Sequence, residues 1–509
     1  MKKVIIFSLL TLGLVSAKAQ TYELNFDAQV LKNYAIFKKG TSVHIQSMTH
    51  EIDDKGVGSG QGEKSISDSY TLNTDKGNVT VKEKLEKVLD VDYKNAQTFW
   101  DAQIIFNVLE QLSKKGTQQE LRAEMEDDAL EYINRVQNNG LAFNDPYLES
   151  YIYGVISKIA PSVLIDGRPG NVNLLILRNS VANAFMFPNG TLVISTGLIS
   201  LLHSEDELAA VLAHEIAHFV LDHSVQNYNK IQSRKKRAEF WAGLATVLTG
   251  AAEIAAASQN HYYAPGVATI AVAAASSQIA AEVCKRLGMQ YTRNQESEAD
   301  EMAIELMKVL KYDTNALSTA LSRIEEVLKK ERSVEMYFAS DHPALVDRIK
   351  KAGTPSKNTD KDFEKIISFA VSDAATMKML DRRFLQAMPL LSQNIENNVG
   401  IVDDYIQKAN CLLYLRNDAN SLAEVASLIN EAKRLSINNI NLYKTEILYQ
   451  LRLKKYKDAL SLLSSYKQKL SDLMKNENTL PEDVWSYNYR YGYSELLWAN
   501  NMTDKLRSF

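Results

Sequence analysis

The spacing of hydrophobic positions changes character along this chain, and that change divides it. Residues 20 to about 92 alternate weakly between apolar and polar, with small-residue clusters such as Gly56-Val57-Gly58-Ser59-Gly60, which predicts a small irregular or β-containing region. From about 93 to 136 the pattern becomes helical, for example through Ala102, Ile105, Phe106 and Leu109. Pro146 opens another helix through Leu148, Tyr151 and Val155, because proline is tolerated in a first turn. Residues 172–178 and 191–195 read as strands. A strong helix covers 206–213, where Leu208, Val211 and Leu212 recur at helical spacing. Ser204 is its predicted N-cap, and Glu207 three residues on completes a capping box.

A polar stretch over 351–358 predicts a linker, after which the pattern is helical to the end. Two windows 34 residues apart match loosely: Leu413 with Ile447, Leu422 with Tyr456, Val425 with Ala459, Leu428 with Leu462, Ile429 with Leu463. That period predicts tetratricopeptide-like repeats, with a generic helical bundle as the alternative. Stacked repeats of this kind form a concave surface suited to peptides or partner proteins.

The chemistry is concentrated in His214-Glu215-Ile216-Ala217-His218. On a helix, residues four apart share a face, so His214 and His218 can offer both imidazoles to one ion. Glu215, one step along, can reach a water on that ion and serve as general base. A catalytic zinc site needs a third protein ligand and an open fourth position. Glu296 is the candidate ligand. It opens a helical run in which Asp300, four residues on, can accept a hydrogen bond from a ligating imidazole.

These motifs resemble the HtpX and CAAX prenyl protease type of zinc metallopeptidase. The resemblance implies that His214, His218 and Glu296 hold one Zn²⁺, that Glu215 is the catalytic base, and that Asp300 supports a ligand from behind. Asn183-Ala184-Phe185, followed by a hairpin into Thr191–Ser195, is similar to the family's Asn-Ala-Phe strand. A strand edge there can hold an extended peptide through its main chain. His342-Pro343 with Arg348-Ile349 is similar to the family's His-Pro…Arg-Ile element. His342 is expected either to stabilise an oxyanion or to plug the open metal position. His223 also fits the pattern, as a supporting or structural residue. The interval from His218 to Glu296 is long, so a helical insertion is expected over about 226–290.

Composition and charge then narrow the setting. Met1-Lys2-Lys3, an apolar run from Val4 to Val15, and Ala17-Lys18-Ala19 form a signal-peptide pattern with cleavage after Ala19. Loss of Lys2, Lys3 and Lys18 shifts the formal charge from -4 to -7, which argues against a nucleic-acid partner. Cys284 and Cys411 form neither a metal motif nor a disulfide framework. Residues 241–283 are Ala-rich and poorly charged. They read as a buried or amphipathic helical pair over the active site, a membrane hairpin, or a lid docking on a membrane or partner. The basic run 234–237 before them suits phospholipid headgroups or a solvated face.

The resulting expectation is an α+β, mainly α chain. A signal peptide (1–19) and an N-terminal extension (20–139), partly helical, precede a zincin-type core with a small antiparallel sheet (140–352). A linker (353–362) then joins an all-α repeat domain (363–509). The core-plus-repeat combination resembles periplasmic members of the family, and that resemblance implies polypeptide substrates, among them misfolded or unassembled envelope and outer-membrane proteins, with peripheral membrane contact. The alternative is a zinc-stabilised chaperone or scaffold that binds clients through its C-terminal helices with little turnover.

Overall fold

The structure is a computed structural model that describes residues 18–34, 36–54, 64–75, 77–82, 88–109, 118–138, 140–165, 168, 170–228, 280, 283–285, 287–330, 345–356, 359–475 and 482–507. Two compact units are present, one from 1–119 with 161–168, the other from 120–160 with 169–509.

In the first unit, β1 (Lys18–Val30), β2 (Ser42–Asp54), β3 (Lys64–Thr74), β4 (Gly77–Val81) and β5 (Leu89–Asp92) form an antiparallel sheet in the order β4-β3-β2-β1-β5. Tyr22, Leu24, Phe26, Ala28 and Val30 are buried at every second position of β1, so one face carries the core. Of the two expectations for this region, irregular or β-containing, the structure shows the second, an antiparallel sheet with register shifts in the β1–β2 and β2–β3 ladders. The small-residue cluster that suggested irregularity lies between β2 and β3, outside the described residues. Helix α1 (Ala96–Gln103) follows, capped by Asn95, and runs directly into a π-helical turn, Ile104–Val108.

The second unit opens with α2 (Gln118–Asn138) and α3 (Pro146–Ile159), the latter capped by Asp145 with Pro146 in its first turn. Met125, Tyr132 and Val136 of α2 share one core cluster with Leu175, Leu177, Phe185, Phe187 and Val193 of the sheet beyond. Helix α2 thus belongs with the motif-bearing core rather than with an N-terminal extension. That sheet consists of β6 (Asn173–Leu177), β7 (Ala184–Met186) and β8 (Thr191–Ser195), in the order β6-β8-β7. The β7–β8 hairpin is antiparallel as expected, but β6 joins β8 in parallel, so this small sheet is mixed. Gly190 closes the hairpin at φ +83, where a Cβ would stand 2.6 Å from the Asn171 carbonyl oxygen.

After α4 (Thr196–Ile199) comes the motif helix α5 (Glu205–Val220), then α6 (His223–Asn227), α7 (Arg293–Val309), α8 (Ala316–Lys330) and α9 (Leu345–Ala352). Helix α5 is packed by α3, α7, α8 and β7, and every residue from Glu207 to Val220 is buried. Its acidic first turn complements the positive end of the helix dipole. Glu205 accepts from Tyr151 Oη at 2.7 Å, Lys158 Nζ at 2.8 Å and Tyr312 Oη at 2.9 Å. Ser204 Oγ accepts from Glu207 N as expected of the cap. The Glu207 carboxylate, however, accepts from His203 N, because Arg323 of α8 holds it with two hydrogen bonds.

The remaining helices are α10 (Lys361–Ile366), α11 (Ser368–Leu380), α12 (Phe384–Glu396), α13 (Val402–Leu415), α14 (Ala419–Leu435), α15 (Ile440–Arg452), α16 (Tyr456–Leu473) and α17 (Glu482–Arg507), with neighbours from α11 onwards packed on one another. The segment read as a linker is docked on the core. Thr354 N donates to Asn315 Oδ1, Ser356 N to Thr319 Oγ1, and Asp360 N to the His203 carbonyl. Helix pairs open at Val402 and Ala419, then at Ile440 and Tyr456, a recurrence longer than the 34 residues of the sequence match. The buried face nevertheless keeps the shorter offset, with Val425 and Ala459 both at 0% exposure. Three residues are nearly one helical turn, which reconciles the two. Cys284 and Cys411 are buried and not disulfide-bonded, and burial pushes Cys411 up to about 12.

Candidate metal centre and active site

The site is assembled from two helices that are distant in sequence. His214 and His218, one turn apart on α5, face each other with Nε2 atoms 3.1 Å apart. Helix α7 begins at a Thr292 cap with a full Thr292–Gln295 capping box, which places Glu296 in the first turn, fully buried. Its Oε1 lies 3.4 Å from His218 Nε2 and its Oε2 3.7 Å from His214 Nε2.

The donor set fits one metal ion. A tetrahedral centre with bonds of about 2.0–2.1 Å has edges of roughly 3.3 Å between donors, close to the three separations observed. Among the described residues these are the His, Cys, Asp and Glu side chains whose ligand atoms gather within 4.8 Å. Burial drives the His218 imidazole well below its ordinary value; His214 and His223 add to that effect and Glu296 opposes it. A neutral imidazole is the form that ligates. Formally, the carboxylates of Glu215, Glu296 and Asp300 against the guanidinium of Arg348 leave two negative charges in a buried site, the charge of one divalent cation.

The surrounding residues orient these ligands. His214 Nδ1 lies 3.0 Å from Asp300 Oδ1, one turn beyond Glu296 on α7. Arg348 of α9 donates to Asp300 through Nε at 2.8 Å and Nη2 at 2.7 Å, and also contacts Glu296. Burial alone would raise the Asp300 carboxyl, but His214 and Arg348 outweigh it and hold Asp300 at about 2. His218 Nδ1 is 2.8 Å from His223 Nδ1, and His223 Nε2 is 3.2 Å from Glu298 Oε2. The left-handed Asp222, φ 62, turns the chain so that His223 doubles back beneath His218, and Arg122 clamps Asp222 with two 2.9 Å hydrogen bonds. Tyr291 stacks on the His218 ring at 3.7 Å and 11°. Gly288, φ +69, permits that approach, because a Cβ there would meet the Ser224 carbonyl oxygen at 2.6 Å.

Glu215 is buried and lines, with His214 and Arg348, a small cavity whose other walls are aliphatic. Ala184 is among those walls. Of the three residues expected to hold substrate, Asn183 accepts from Ser195 N through its carbonyl, and Phe185 packs in the core against Tyr132 and Phe187. Ala184 alone turns toward the cavity. The structure thus brings together His214, Glu215, His218, Glu296, Asp300, His223 and Ala184. His342, the basic run and nearly all of the Ala-rich insertion lie outside the described residues. Sequence reasoning missed Tyr291 and Glu298, and it gave Arg348 no role. Arg348 had a signal, its place in the His-Pro…Arg-Ile element; Tyr291, in a loop, had none.

Residues 146–356 match the model of Peptidase family M48. This segment is a peptidase family M48 domain. The family resemblance drawn from the motifs therefore holds. The chain is similar to a "Putative beta-barrel assembly-enhancing protease" of Vibrio cholerae, 29% identical over 218 residues, covering 43% of this chain and 41% of that protein. It is also similar to "Mitochondrial metalloendopeptidase OMA1" of Schizosaccharomyces pombe, 28% identical over 178 residues, covering 35% of this chain and 44% of that one. "Metalloprotease LoiP" of Escherichia coli (strain K12) is 27% identical over 184 residues, covering 36% of this chain and 62% of its own length. The chain spans less than half the length of the first two relatives.

Proposed function

We propose that this chain is a zinc-dependent metalloendopeptidase of the cell envelope that hydrolyses misfolded or unassembled envelope proteins. The observation that carries the reading is the convergence of His214, His218 and Glu296, with Glu215 beside them on the wall of an apolar cavity. His214, His218 and Glu296 hold the metal, Asp300 and Arg348 fix His214 and Glu296, and His223 fixes His218. Zinc, when bound, supplies the Lewis acidity that brings the pKa of water to about 7. Glu215 takes the proton of the attacking water and returns it to the nitrogen of the leaving amine. An extended substrate is held by main-chain hydrogen bonds along β7.

The envelope setting rests on the N-terminal signal-peptide pattern and on the names of relatives that enhance β-barrel assembly. Among the described residues no helix is long and apolar enough to cross a membrane. The client-binding role of the C-terminal helices is supported by a groove lined in part by Phe384, Asn410, Tyr414 and Asn441. Asn410 and Asn441 stand on alternate helices, and Phe384 and Tyr414 stack at 4.9 Å. Amides and an aromatic pair suit an extended polypeptide.

The test is the Glu215→Gln chain. It should retain one equivalent of zinc yet lose cleavage of an unfolded polypeptide, and a chelator should silence the wild type until zinc is restored. Undiminished cleavage by Glu215→Gln would refute the mechanism. Full function of that variant in cells would favour the scaffold alternative instead.

A further inference from the structure

We propose that the groove of the C-terminal helices takes a polyproline-II segment with an apolar side chain at every third position. The inference rests on the client-binding reading above and names the conformation and pattern of the partner. The groove lining repeats across three alternate helices at a fixed interval. Thr376 of α11, Asn410 of α13 and Lys444 of α15 stand 34 residues apart, and so do Leu380, Tyr414 and Leu448 on the same helices. Helix α13 packs on both α11 and α15, so the two triplets form a polar row and an apolar row across adjoining helices. Each apolar residue follows its polar partner by four positions, about 6 Å along the helix axis.

The spacing selects the ligand's conformation. Packed helix axes stand roughly 8–10 Å apart, so a row carried by adjoining helices recurs at that distance. A polyproline-II chain rises about 3.1 Å per residue with three residues per turn, so every third side chain returns to one face after roughly 9.3 Å. A β-strand returns a side chain to one face after about 6.6–6.8 Å and falls out of step by the second helix. An α-helical ligand bonds its main-chain groups within itself, and a polar row beside the apolar one finds nothing there to bind. The polyproline-II backbone has no internal hydrogen bonds and offers its carbonyls outward.

The side chains suit that backbone. Tyr414 is 58% exposed and stacks on Phe384 at 4.9 Å and 13°, an aromatic ledge of the kind on which polyproline-II chains dock. Asn410 Oδ1 accepts from Thr445 Oγ1 at 2.9 Å, which leaves its Nδ2 to donate to a ligand carbonyl. Lys444 Nζ donates to Glu495 at 2.8 Å and lies 4.8 Å over the Trp498 ring, and Asp403 accepts from Asn439 Nδ2 at 3.3 Å. A charged segment gains no ion pair from these committed groups and loses water on entering, so an uncharged one is favoured.

The experiment measures fluorescence anisotropy of labelled synthetic peptides on the full Glu215→Gln chain, which should leave them uncut. One peptide carries leucine at every third position of a proline host. An isomer carries the same leucines at every second position, and a third peptide is an alanine-rich helix with leucines seven apart. The first should bind at least roughly tenfold more tightly than either of the others. Tyr414→Ala should weaken its binding roughly tenfold. Asn410→Asp keeps the acceptor for Thr445, loses the donor, and should weaken it about fivefold. Thermal unfolding reports on folding in both variants. Equal binding of the two proline peptides, tighter binding of the helical one, or affinity unmoved in both folded variants would overturn the inference. If an unfolded polypeptide binds, and Tyr414→Ala weakens it, while leucine spacing makes no difference, the client-binding reading stands and this inference falls. If neither the unfolded polypeptide nor any peptide binds, both fall.

Discussion

His218 shows how far proton placement alone orders this site. Its Nε2 faces His214 and Glu296, so a neutral ring that points a lone pair at a cation there keeps its one proton on Nδ1. That proton is donated to His223 Nδ1, which forces the His223 proton onto Nε2 and toward Glu298. The two imidazoles of the candidate metal centre are thus supported differently, His214 by a buried carboxylate and His218 by a second imidazole with an exposed carboxylate behind it. His223→Leu should weaken zinc binding by about 10–100-fold in competition with a chromophoric chelator. His223→Asn, whose carbonyl oxygen can accept the same proton, should retain most of the affinity. Equal affinity in the leucine variant would remove His223 from the site. Asp300 makes a separate prediction for the metal-free chain. Its carboxyl sits at about 2 in the fold against 3.8 in the unfolded chain. The ionised form therefore adds about 2 kcal/mol at neutral pH, a contribution present above roughly pH 4 and lost as pH falls through 2. Acid unfolding should begin at higher pH in Asp300→Asn, because that variant lacks the carboxylate at every pH.

At the scale of elements, β7 is the strand to question. Ser195 N donates to the Asn183 carbonyl and Phe187 N to the Thr191 carbonyl, and Phe185 pairs with Val193 between them. The alternation of an antiparallel ladder then turns the N–H and C=O of Ala184 and Met186 away from β8. Ala184→Pro removes an outward donor and leaves the ladder intact. Cleavage of extended peptides should fall at least tenfold with zinc content unchanged, and full cleavage by that variant would dismiss β7 as the substrate edge. Helix α13 carries another prediction. Asp404 caps it by accepting from Ile401 N at 3.0 Å, and burial pushes its carboxyl up to about 6. The protonated form is thus the stable one. Its contribution is complete below roughly pH 4 and lost as pH rises through 6, a change of about 2–3 kcal/mol. Asp404→Asn should flatten thermal stability over that window and raise it at pH 7. The sequence made α5 legible because a cap, a periodic face and a paired motif coincided within a few residues. It offered Glu296 and Asp300 as two carboxylates on one helix face, and a resemblance then tied them to the histidine pair, since no local period links residues 78 apart. It hid Tyr291 and Glu298, because stacking on a ring and a contact at the end of a proton chain leave no periodic trace. The sheet of β1 to β5 was legible only as a β-containing region, because strand register and order come from pairings between distant segments and leave no local trace.

At the scale of the second unit, the first of the C-terminal helices, α10 and α11, pack directly on the M48 domain. Phe363 of α10 is 1% exposed, with its ring centroid 6.1 Å from that of Tyr151 on α3. Glu364 bonds His203 at 2.6 Å, just ahead of the motif helix. Asp373 of α11 pairs with Arg178 at 3.2 Å and accepts from Thr196 Oγ1 at 3.0 Å. Ser180 donates to Asp381 at 2.8 Å, and Lys378 donates to the Ser180 carbonyl at 3.3 Å. These contacts grip residues 178–181 and α4, which flank the strand edge, while Thr376, Met379 and Leu380 of the same helix line the C-terminal groove. A polar tether between independent domains would predict two separable unfolding transitions. A shared core spanning α3, α10 and α11 predicts one, since Ile367, Ala370, Val371 and Ala374 are all at 0% exposure and cannot be uncovered without exposing apolar surface on both sides. Ending the chain at Thr359 should therefore lower the melting temperature of the M48 domain and its solubility, and should not leave an intact, faster peptidase. Calorimetry of the full chain against that truncation decides the matter, because an M48 transition at unchanged temperature in the shortened chain would show that the helices are an appendage.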